Sequence, residues 1–586
     1  RKTAQFLYYF RKFGIMGAMR EERYWDYSVG YIIYPEAFQD SNGDGVGDIR
    51  GIINRLDYLY DLGINLLWIC PLFASPMDDN GYDVSDYYSI NPIFGNMDDF
   101  RELLQKAHEK GIRVLVDLVL NHTSSEHPWF RKALSDPSSK ERDYYFFRRG
   151  RKVNGELLPP NNWKGFFSTG CWERVPDGED FYFHIFSSKM PDVNWDNPEL
   201  RERYYEIARF YLDMGVDGFR LDALAHLSKD TTFEDSHFPA DENGLVFDMT
   251  KFSNRDPLFG YLTEFKERVF SHYDCLTLGE VGGGLSEEGS LRFSDREKGS
   301  INMVFNFDTA WCNGAYGSLD KKPEEIKTDV LRMKHVFEKW YLTCHEKADM
   351  PLYWCNHDHP RVLSQYGSKE YRDESAKAIL MTLLFMYGTP FIYFGDEIGM
   401  SNVEFTKPEE FFSDVGNKNE IASLRNRGYS DGQIVQYMNR CSRLSARQPM
   451  QWEGSELGGF SSVAPKTIPL NKNRLEGVNV ASNFSDPWSI FHFAKYAIWK
   501  RRDPNIARLI AEGQFEFVDM NHPDVIAYSH RGEGESLFVI ASWRPYVTYF
   551  SFYWLIKDVL LHNYGDVIIN DHVFTLRPYE CFLLKV

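Results

Sequence analysis

Eight short apolar runs, separated by segments with helical periodicity, are the feature that most limits the folds open to this 586-residue chain. The first connecting segments carry apolar residues at helical spacing and end at Gly63 and Gly111. Eight strands that alternate with helices predict an α/β fold, a closed (β/α)8 TIM barrel, whose functional site lies at the carboxyl ends of the strands. The predicted strands are residues 31–35, 65–70, 114–118, 218–221, 276–279, 303–307, 352–355 and 390–393.

Two parts of the chain depart from this alternation. About ninety residues separate His122 from the strand at Gly218, whereas a barrel unit needs roughly thirty to forty. The stretch is rich in Trp, Phe, Pro and Asn. We therefore predict a small inserted domain after strand 3 over residues 123–195, with the barrel formed by 19–122 and 196–504. Short alternating strands over 505–586 predict a C-terminal antiparallel β-sandwich domain.

The first eighteen residues are basic and aromatic. Arg11 and Lys12 interrupt their apolar run, so no clear signal-peptide core is present. The chain starts with Arg, and Met19 would be a natural start. We expect residues 1–18 to be an N-terminal extension outside the fold.

Composition and charge narrow the classes of partner. A net charge of -19 and a pI near 5.4 argue against nucleic acid. No apolar run approaches about 18 residues, so no membrane span is expected. The eight cysteines are scattered without a CxxC pair, which favours a reducing, cytoplasmic compartment. A small-molecule substrate is the expected partner, with a monomer or a small homo-oligomer equally open.

Two acidic residues each end a predicted strand. Asp222 closes the run at 218–221 and Glu280 closes the run at 276–279. Two carboxyls presented in this way suit retaining glycoside hydrolysis, in which one attacks the sugar carbon and the other protonates the departing oxygen. Arg220 lies two residues before Asp222 and so points to the same face, where it can hold the carboxylate ionised. A structural ion pair is the alternative interpretation.

Other polar side chains lie near strand ends. His122 follows the third strand and can bind a sugar hydroxyl, or be satisfied by backbone. His357 and Asp358 follow the seventh strand, and binding of sugar hydroxyls would give Asp358 a partner. In the loop after the second strand, Tyr82 offers an aromatic platform and Asp79 a hydroxyl acceptor, although such a pentapeptide is also a common turn.

An acidic loop follows the first strand and is similar to the first nine positions of a calcium loop. Oxygen ligands occur at alternate positions, but position 12 is Gly51 rather than a bidentate Glu. We predict a single structural Ca²⁺ (or Mg²⁺), with a metal-free acidic turn as the alternative. The predicted ligands are Asp40, Asn42, Asp44, Asp48 and the carbonyl of Val46.

Taken in order, these segments resemble the alpha-amylase superfamily of glycoside hydrolases, within it the oligo-1,6-glucosidase and alpha-glucosidase group. The resemblance extends from about Trp25 to Val586. It depends on the strand-end segments, and also on Tyr34-Pro35 and the motif at 191–195. The strand-end segments are residues 117–122, 218–222, 279–280 and 356–358.

On this resemblance Asp222 is the nucleophile, Glu280 the acid/base and Asp358 the stabiliser of the distorted sugar. It also implies that Asp79 pairs with Arg447 and closes the pocket, so that single glucose units leave non-reducing ends. Six more side chains would bind substrate: Tyr82, His122, Phe167, Phe186, Arg220 and His357.

The expected activity is that of a retaining, exo-acting alpha-glucosidase that favours α-1,6 bonds, as in isomalto-oligosaccharides, and needs no organic cofactor. Alternatives are an α-1,4-glucosidase, a trehalose-6-phosphate hydrolase, or a sucrose isomerase or trehalose synthase type of transglycosidase. A non-catalytic transporter subunit of the superfamily would lack the carboxylates and carry a spanning helix. Ala223, after the nucleophile, stands where relatives use Val with α-1,6 or Thr with α-1,4 cleavage, and leaves linkage open.

Overall fold

The computed structural model describes residues 23–310 apart from 168 and 283, and residues 328–586 apart from 467 and 571. Its main sheet has eight parallel strands, each formed where the sequence places a buried apolar run. The predicted extension at 1–18 lies outside the described residues. The strands are β1 Gly30–Ile33, β2 Leu66–Ile69, β3 Arg113–Val119, β4 Gly218–Asp222, β5 Leu276–Glu280, β6 Met303–Phe305, β7 Pro351–Leu352 and β8 Thr389–Tyr393.

The eight strands form the predicted barrel. Their order in the sheet is β6-β5-β4-β3-β2-β1-β8-β7, so chain neighbours pair throughout except β6 and β7, which lie at the two ends of the sheet. A parallel bridge between Met303 and Asp349 brings β6 beside the start of β7 and nearly closes the cylinder. The (β/α)8 fold is therefore confirmed. The first strand is shorter than predicted because Pro35, which has no backbone N–H to donate, starts the helix Pro35–Phe38.

Helices cover the outside of the barrel. The first predicted helix is divided at Arg55 into Ile49–Asn54 and Leu56–Leu62, and ends at Gly63 in the left-handed region (φ 98°). The second, Met97–Glu109, begins with a capping box from Asn96. The remaining helices of the barrel and its C-terminal junction are Pro198–Met214, Pro257–Arg268, Glu287–Ser294, Val330–Cys344, Val362–Tyr366, Arg372–Leu384, Ile490–Arg501 and Pro504–Glu512.

The inserted domain follows β3. It contains the helix Pro128–Ser135 and a three-stranded antiparallel sheet of Phe147–Arg149, Asp180–Phe183 and Trp172–Arg174. A hairpin joins Arg151–Val153 to Glu156–Leu158. The core of this domain also takes in residues beyond the predicted limits, from the loop after β4. Its buried aromatic members are Phe146, Trp163, Trp172, Phe181, Phe183, Phe233 and Phe252.

A long segment between β8 and the helix Ile490–Arg501 was not anticipated. We call residues 394–489 the β8 segment. It contains the helices Val415–Asn426, Asp431–Cys441 and Val480–Ser485. It has its own small apolar core, so it is a folded addition at the carboxyl end of the barrel: Val403, Phe405, Phe411, Ile421, Leu424, Ile434, Met438, Leu444 and Ile468.

The C-terminal part is antiparallel, as predicted. A five-stranded and a three-stranded sheet face each other across apolar side chains from both, including Phe538 and Phe574. Lys334 of the barrel joins this domain by donating to the carbonyls of Asp519 (2.7 Å) and His522 (2.7 Å). The strands are Gln514–Phe517, Val525–Arg531, Ser536–Ser542, Thr548–Ser551, Asp558–His562, Ile569–Asn570, Val573–Leu576 and Cys581–Lys585.

Two further features concern the cysteine thiols and the length of apolar helices. The seven cysteines within the described ranges are free thiols, and Cys312 lies outside them. In the part of the chain that the structure describes, no helix is both long and apolar enough to cross a bilayer.

A buried lysine anchors the inserted domain to the barrel. The ammonium of Lys229 donates to Asn121 Oδ1 (2.6 Å) and to the carbonyl of His226 (2.6 Å), and lies 2.9 Å from Asp192 Oδ2. Both charged side chains are fully buried. A buried charge of this kind is tolerated only with its partners in place.

We expect Lys229→Met to lower the thermal unfolding midpoint clearly, because removing one partner of a buried pair costs about 3–5 kcal/mol. Lys189→Met is the matched control, since Lys189 is mostly exposed and its ion pair with Asp78 contributes below about 1 kcal/mol. Calorimetry of both variants checks this. Equal midpoints in the two variants would contradict the anchoring role.

Candidate active site

One guanidinium joins the two carboxyls at the ends of β4 and β5. Arg220 Nη1 donates to Asp222 Oδ1, and Nη2 lies 2.6 Å from Glu280 Oε1. Because both nitrogens belong to the same planar group, the two bound oxygens are within about 7 Å of each other. Arg220 is fully buried and Asp222 nearly so. The carboxyls therefore face a single small space, as a retaining glycosidase requires.

The turn after Asp222 fixes the second carboxyl. Ala223 has a left-handed backbone (φ 48°), and its N–H donates to Glu280 Oε2 at 3.0 Å. The backbone at the end of β4 thus orients the Glu280 carboxyl at the end of β5.

A second cluster is centred on Asp358, after β7. Its Oδ1 accepts hydrogen bonds from Arg443 Nη1 (2.8 Å) and Arg447 Nη2 (2.9 Å), and its Oδ2 lies 2.9 Å from His357 Nε2. Arg443 also donates to Asp79 Oδ1 at 3.3 Å. The Asp358 side chain remains 28% exposed, so its carboxylate is held firmly and can still be reached.

Asp117, in the middle of β3, connects the two clusters. Its Oδ1 accepts from Arg220 Nη1 (3.2 Å), and its Oδ2 accepts from Tyr82 (3.2 Å) and the Trp68 indole (3.3 Å). Tyr82 is also 2.6 Å from His357 Nε2. A continuous polar network therefore runs from Glu280 to the arginines of the β8 segment.

Burial and neighbouring charges set the protonation of these groups. Burial raises the pKa of Asp222 well above its ordinary value, Glu280 and Asp117 add to this, and Arg220 opposes it. For Asp358, burial is outweighed by His357, Arg443 and Arg447, which hold its pKa well below the usual value.

Aromatic residues of the inserted domain extend the site on one side. The Phe186 ring lies 5.3 Å from the His122 ring, edge to face, and 5.9 Å from Phe167. Burial, with the nearby Lys229 ammonium, lowers the pKa of His122 to about 3, so its imidazole is neutral. Its buried Nε2 makes no hydrogen bond within the described chain.

Two details differ from the expectation. The pairing of Asp79 with Arg447 is wrong in this structure: Arg443 contacts Asp79, whereas Arg447 contacts Asp358 and the carbonyl of His357 (3.0 Å). The two arginines lie four residues apart on one turn, so either could be predicted to face Asp79. The Tyr82 ring is almost fully buried and stacks on His357 at 5.2 Å, which limits the face left for a sugar.

The acidic loop lies apart from the carboxyl network. Its side chains mostly accept hydrogen bonds from the loop itself, as when Asp40 accepts from Gly43 (2.7 Å) and Gly45 (2.8 Å). Among the described residues, no three His, Cys, Asp or Glu side chains are grouped so that they could hold an ion. A metal at Asp40, Asn42, Asp44, Val46 and Asp48 therefore stays a prediction from the ligand pattern alone.

The candidate-residue set predicted from sequence omitted parts of the network. Asp117 and Trp68 lie inside the predicted strands 114–118 and 65–70, and neither was given a role, although Asp117 begins the strand-end segment 117–122. Asp117 is the direct register partner of Arg220, and a charged pair in adjacent buried strands was the available signal. Neither Arg443 nor Asp414, its third carboxylate partner (2.7 Å), was among the candidate residues.

Comparison with known proteins places this site in a family. A profile described as the alpha amylase catalytic domain matches residues 32–509. The chain belongs to the alpha-amylase family. It is 38% identical to an oligo-1,6-glucosidase of Bacillus cereus over 576 residues, which cover 97% of this chain and 100% of the relative.

Solved structures superpose on nearly the whole chain. Trehalose-6-phosphate hydrolase of Bacillus licheniformis is 34% identical with a TM-score of 0.86, covering 96% of this chain and 100% of that one. Isomaltulose synthase of Klebsiella sp. LX3 is 31% identical with a TM-score of 0.89, covering 97% and 100%. The protein is thus an alpha-amylase family glycoside hydrolase similar to enzymes of more than one specificity.

The raised pKa of Asp222 has a measurable consequence. Any reaction in which its carboxylate attacks is lost as the pH falls through that pKa, so the acid limb of log(kcat/KM) should have a midpoint above about 4. Asp117→Asn removes a negative charge that raises this pKa, and we expect the midpoint to move lower. A wild-type midpoint at or below about 4, or an upward shift in the variant, would contradict this.

Proposed function

We propose that the protein is a retaining, exo-acting alpha-glucosidase that hydrolyses terminal α-1,6 bonds of short oligosaccharides. The observation that carries this proposal is the pair Asp222 and Glu280 held by the single guanidinium of Arg220. Two carboxyls held within about 7 Å of each other can serve attack and protonation at one anomeric centre, as double displacement requires. The similarity to oligo-1,6-glucosidase supports the α-1,6 choice.

In the proposed first step, an oxygen of Asp222 attacks the anomeric carbon, and an ester bond forms as the glycosidic bond breaks. Glu280 transfers its proton to the departing oxygen. In the second step Glu280 takes a proton from water, the water oxygen attacks the same carbon, and the Asp222 ester is cleaved. Arg220 contacts both carboxyls and would stabilise the negative charge as it moves between them.

The Asp358 cluster supports binding of a single terminal glucose. Asp358 and Asp79 are acceptor-only groups when ionised, and sugar hydroxyls are donors that fit them. The unpartnered Nε2 of His122 offers one more polar contact. Arg443 and Arg447 tie Asp358 to the β8 segment, and this closure would exclude a longer chain beyond that sugar.

The second candidate function comes from similar enzymes that have other specificities. Trehalose-6-phosphate hydrolase and isomaltulose synthase superpose on 96% and 97% of this chain. Both reactions can proceed through the same glucosyl intermediate. They differ in the group that leaves in the first step or in the acceptor that reacts in the second step. The free cysteines of the described ranges fit a reducing, cytoplasmic compartment, where small saccharides and their phosphates are met.

A product assay tests the substrate class. Isomaltose, maltose, sucrose, trehalose and trehalose 6-phosphate are offered separately, and products are followed by NMR from the first turnovers. We expect glucose from isomaltose at the highest kcat/KM, first as the α-anomer, because double displacement retains configuration. Initial β-glucose would contradict the mechanism, and sucrose isomerised without net hydrolysis would favour the second candidate.

Substitution tests the assigned nucleophile. We expect Asp222→Ala to lower release of nitrophenol from nitrophenyl α-glucoside by at least about 10⁴-fold, since no other group can form the ester. Asp213→Ala is the control and should keep wild-type rates. It removes a carboxylate that accepts a hydrogen bond from Tyr273 on the outside of the barrel. Substantial activity in Asp222→Ala would overturn the assignment.

A calcium or magnesium ion at residues 40–48 is a separate proposal. If it binds, a chelator should lower the thermal midpoint and Ca²⁺ should restore it, since a ligand at 100 times its Kd stabilises by about 2.7 kcal/mol. Asp44→Ala should abolish the response. An unchanged midpoint together with no metal in elemental analysis of the purified protein would contradict this proposal.

A further inference from the structure

Asp414 is a carboxylate of the Asp358 cluster that no motif singled out. It comes directly before the helix Val415–Asn426 of the β8 segment, and its side chain is only 2% exposed. Its Oδ1 accepts the backbone N–H of Asn417 at 2.9 Å and so caps the helix. Its Oδ2 is left to face the two arginines.

Arg443 is held on three sides. Its Nε donates to Asp414 Oδ2 at 2.7 Å, while Nη1 and Nη2 donate to Asp358 and Asp79. A guanidinium is planar, so bonds on three edges fix both its position and its plane. The bond to Asp414 therefore decides where the other two edges point.

Arg447 repeats this arrangement. Its Nη2 donates to Asp358 Oδ1, and its Nη1 lies 3.8 Å from Asp414 Oδ2 and makes no hydrogen bond within the described chain. Two neighbouring guanidiniums repel each other, and here each lies between the same two carboxylates, Asp358 and Asp414. Asp414 compensates that repulsion from the side opposite Asp358.

The start of the same helix also contacts the inserted domain. Asn419 Nδ2 donates to the carbonyl of Phe167 at 2.9 Å, and Asn417 Nδ2 donates to Ser442 at 2.9 Å, directly before Arg443. The first turn of Val415–Asn426 thus joins the aromatic wall to the arginine turn. A change in this helix would be transmitted to both sides of the sugar pocket.

We propose that Asp414 is a positioning residue that orients Arg443 and Arg447, and through them Asp358 and Asp79, for recognition of the terminal glucosyl unit. It contacts no sugar itself. This inference rests on the proposed glucosidase function and adds a residue of the β8 segment to it. Although burial opposes ionisation, Arg443 and Arg447 hold the pKa of Asp414 below its ordinary value, so it is charged under working conditions.

The test uses Asp414→Asn, which keeps the helix cap and the side-chain shape but removes the charge. We expect kcat/KM to fall about tenfold to a hundredfold, mostly through KM, as for loss of a charge-assisted hydrogen bond. The factor should be the same for nitrophenyl α-glucoside and isomaltose, since both carry the same glucosyl unit. Ser430→Ala removes the cap of the next helix, Asp431–Cys441, and should leave both rates unchanged.

A double-mutant cycle separates positioning from general destabilisation. In an Arg443→Gln background, Asp414→Asn should have less than a third of its effect on log(kcat/KM), because its action passes through that arginine. Fully additive effects, an Asp414→Asn value within twofold of wild type, or a loss confined to one leaving group would each overturn the inference.

Calorimetry of glucose binding tests the role of Asp414 independently of the proposed hydrolytic function. We expect Asp414→Asn to weaken glucose binding at least tenfold. If the wild type hydrolysed neither substrate, the proposed function would fail, and the change in glucose affinity would still decide the role of Asp414. Equal affinities in wild type and variant would overturn it.

Discussion

The Arg220 guanidinium is the interaction on which the rest of the site depends. Carboxyls from three adjacent strands, Asp117, Asp222 and Glu280, converge on this one buried cation. Without it, the buried Asp117 and Asp222 and the partly buried Glu280 would repel one another and lose hydration with no compensation. The parallel register of β3 and β4 places Arg220 directly beside Asp117. The strand pairing that builds the barrel therefore also sets the geometry of the site.

Two long additions to the barrel are fixed by buried cations in the same way. Lys229 joins the loop after β4 to Asn121 and to Asp192 of the inserted domain. Arg361 donates to the carbonyls of Phe394 and Ala446 and supports the turn that carries Arg443 and Arg447. Rigid strand ends thus hold the reacting carboxyls, while anchored additions carry the groups that recognise the sugar.

Much of the fold could be predicted because the signals were local. Apolar runs located the eight strands, and acidic residues at their ends located Asp222 and Glu280. Long-range details could not be predicted in this way. Whether Arg443 or Arg447 meets Asp79, more than 360 positions away, depends on the course of the β8 segment, whose helices resemble those of the barrel in composition.

Other features of the structure could not be predicted from the sequence for related reasons. Phe233 and Phe252 complete the core of the inserted domain from beyond its predicted limits, because apolar character does not reveal which core a residue joins. The strands Thr548–Ser551 and Asp558–His562 are hard to locate from sequence, because both include exposed or half-buried positions that weaken the alternating pattern. Neither the residue type of Ala223 nor its left-handed backbone decides the linkage preference.

Trapping the intermediate tests the central claim most directly. The protein is incubated with 5-fluoro-α-glucosyl fluoride, digested at low pH, and the labelled peptide is sequenced by mass spectrometry. Double displacement across the Arg220-linked pair predicts one added fluoroglucosyl group, esterified to Asp222. A label on any other residue, or steady turnover of the reagent with no covalent species at any time, would contradict the account.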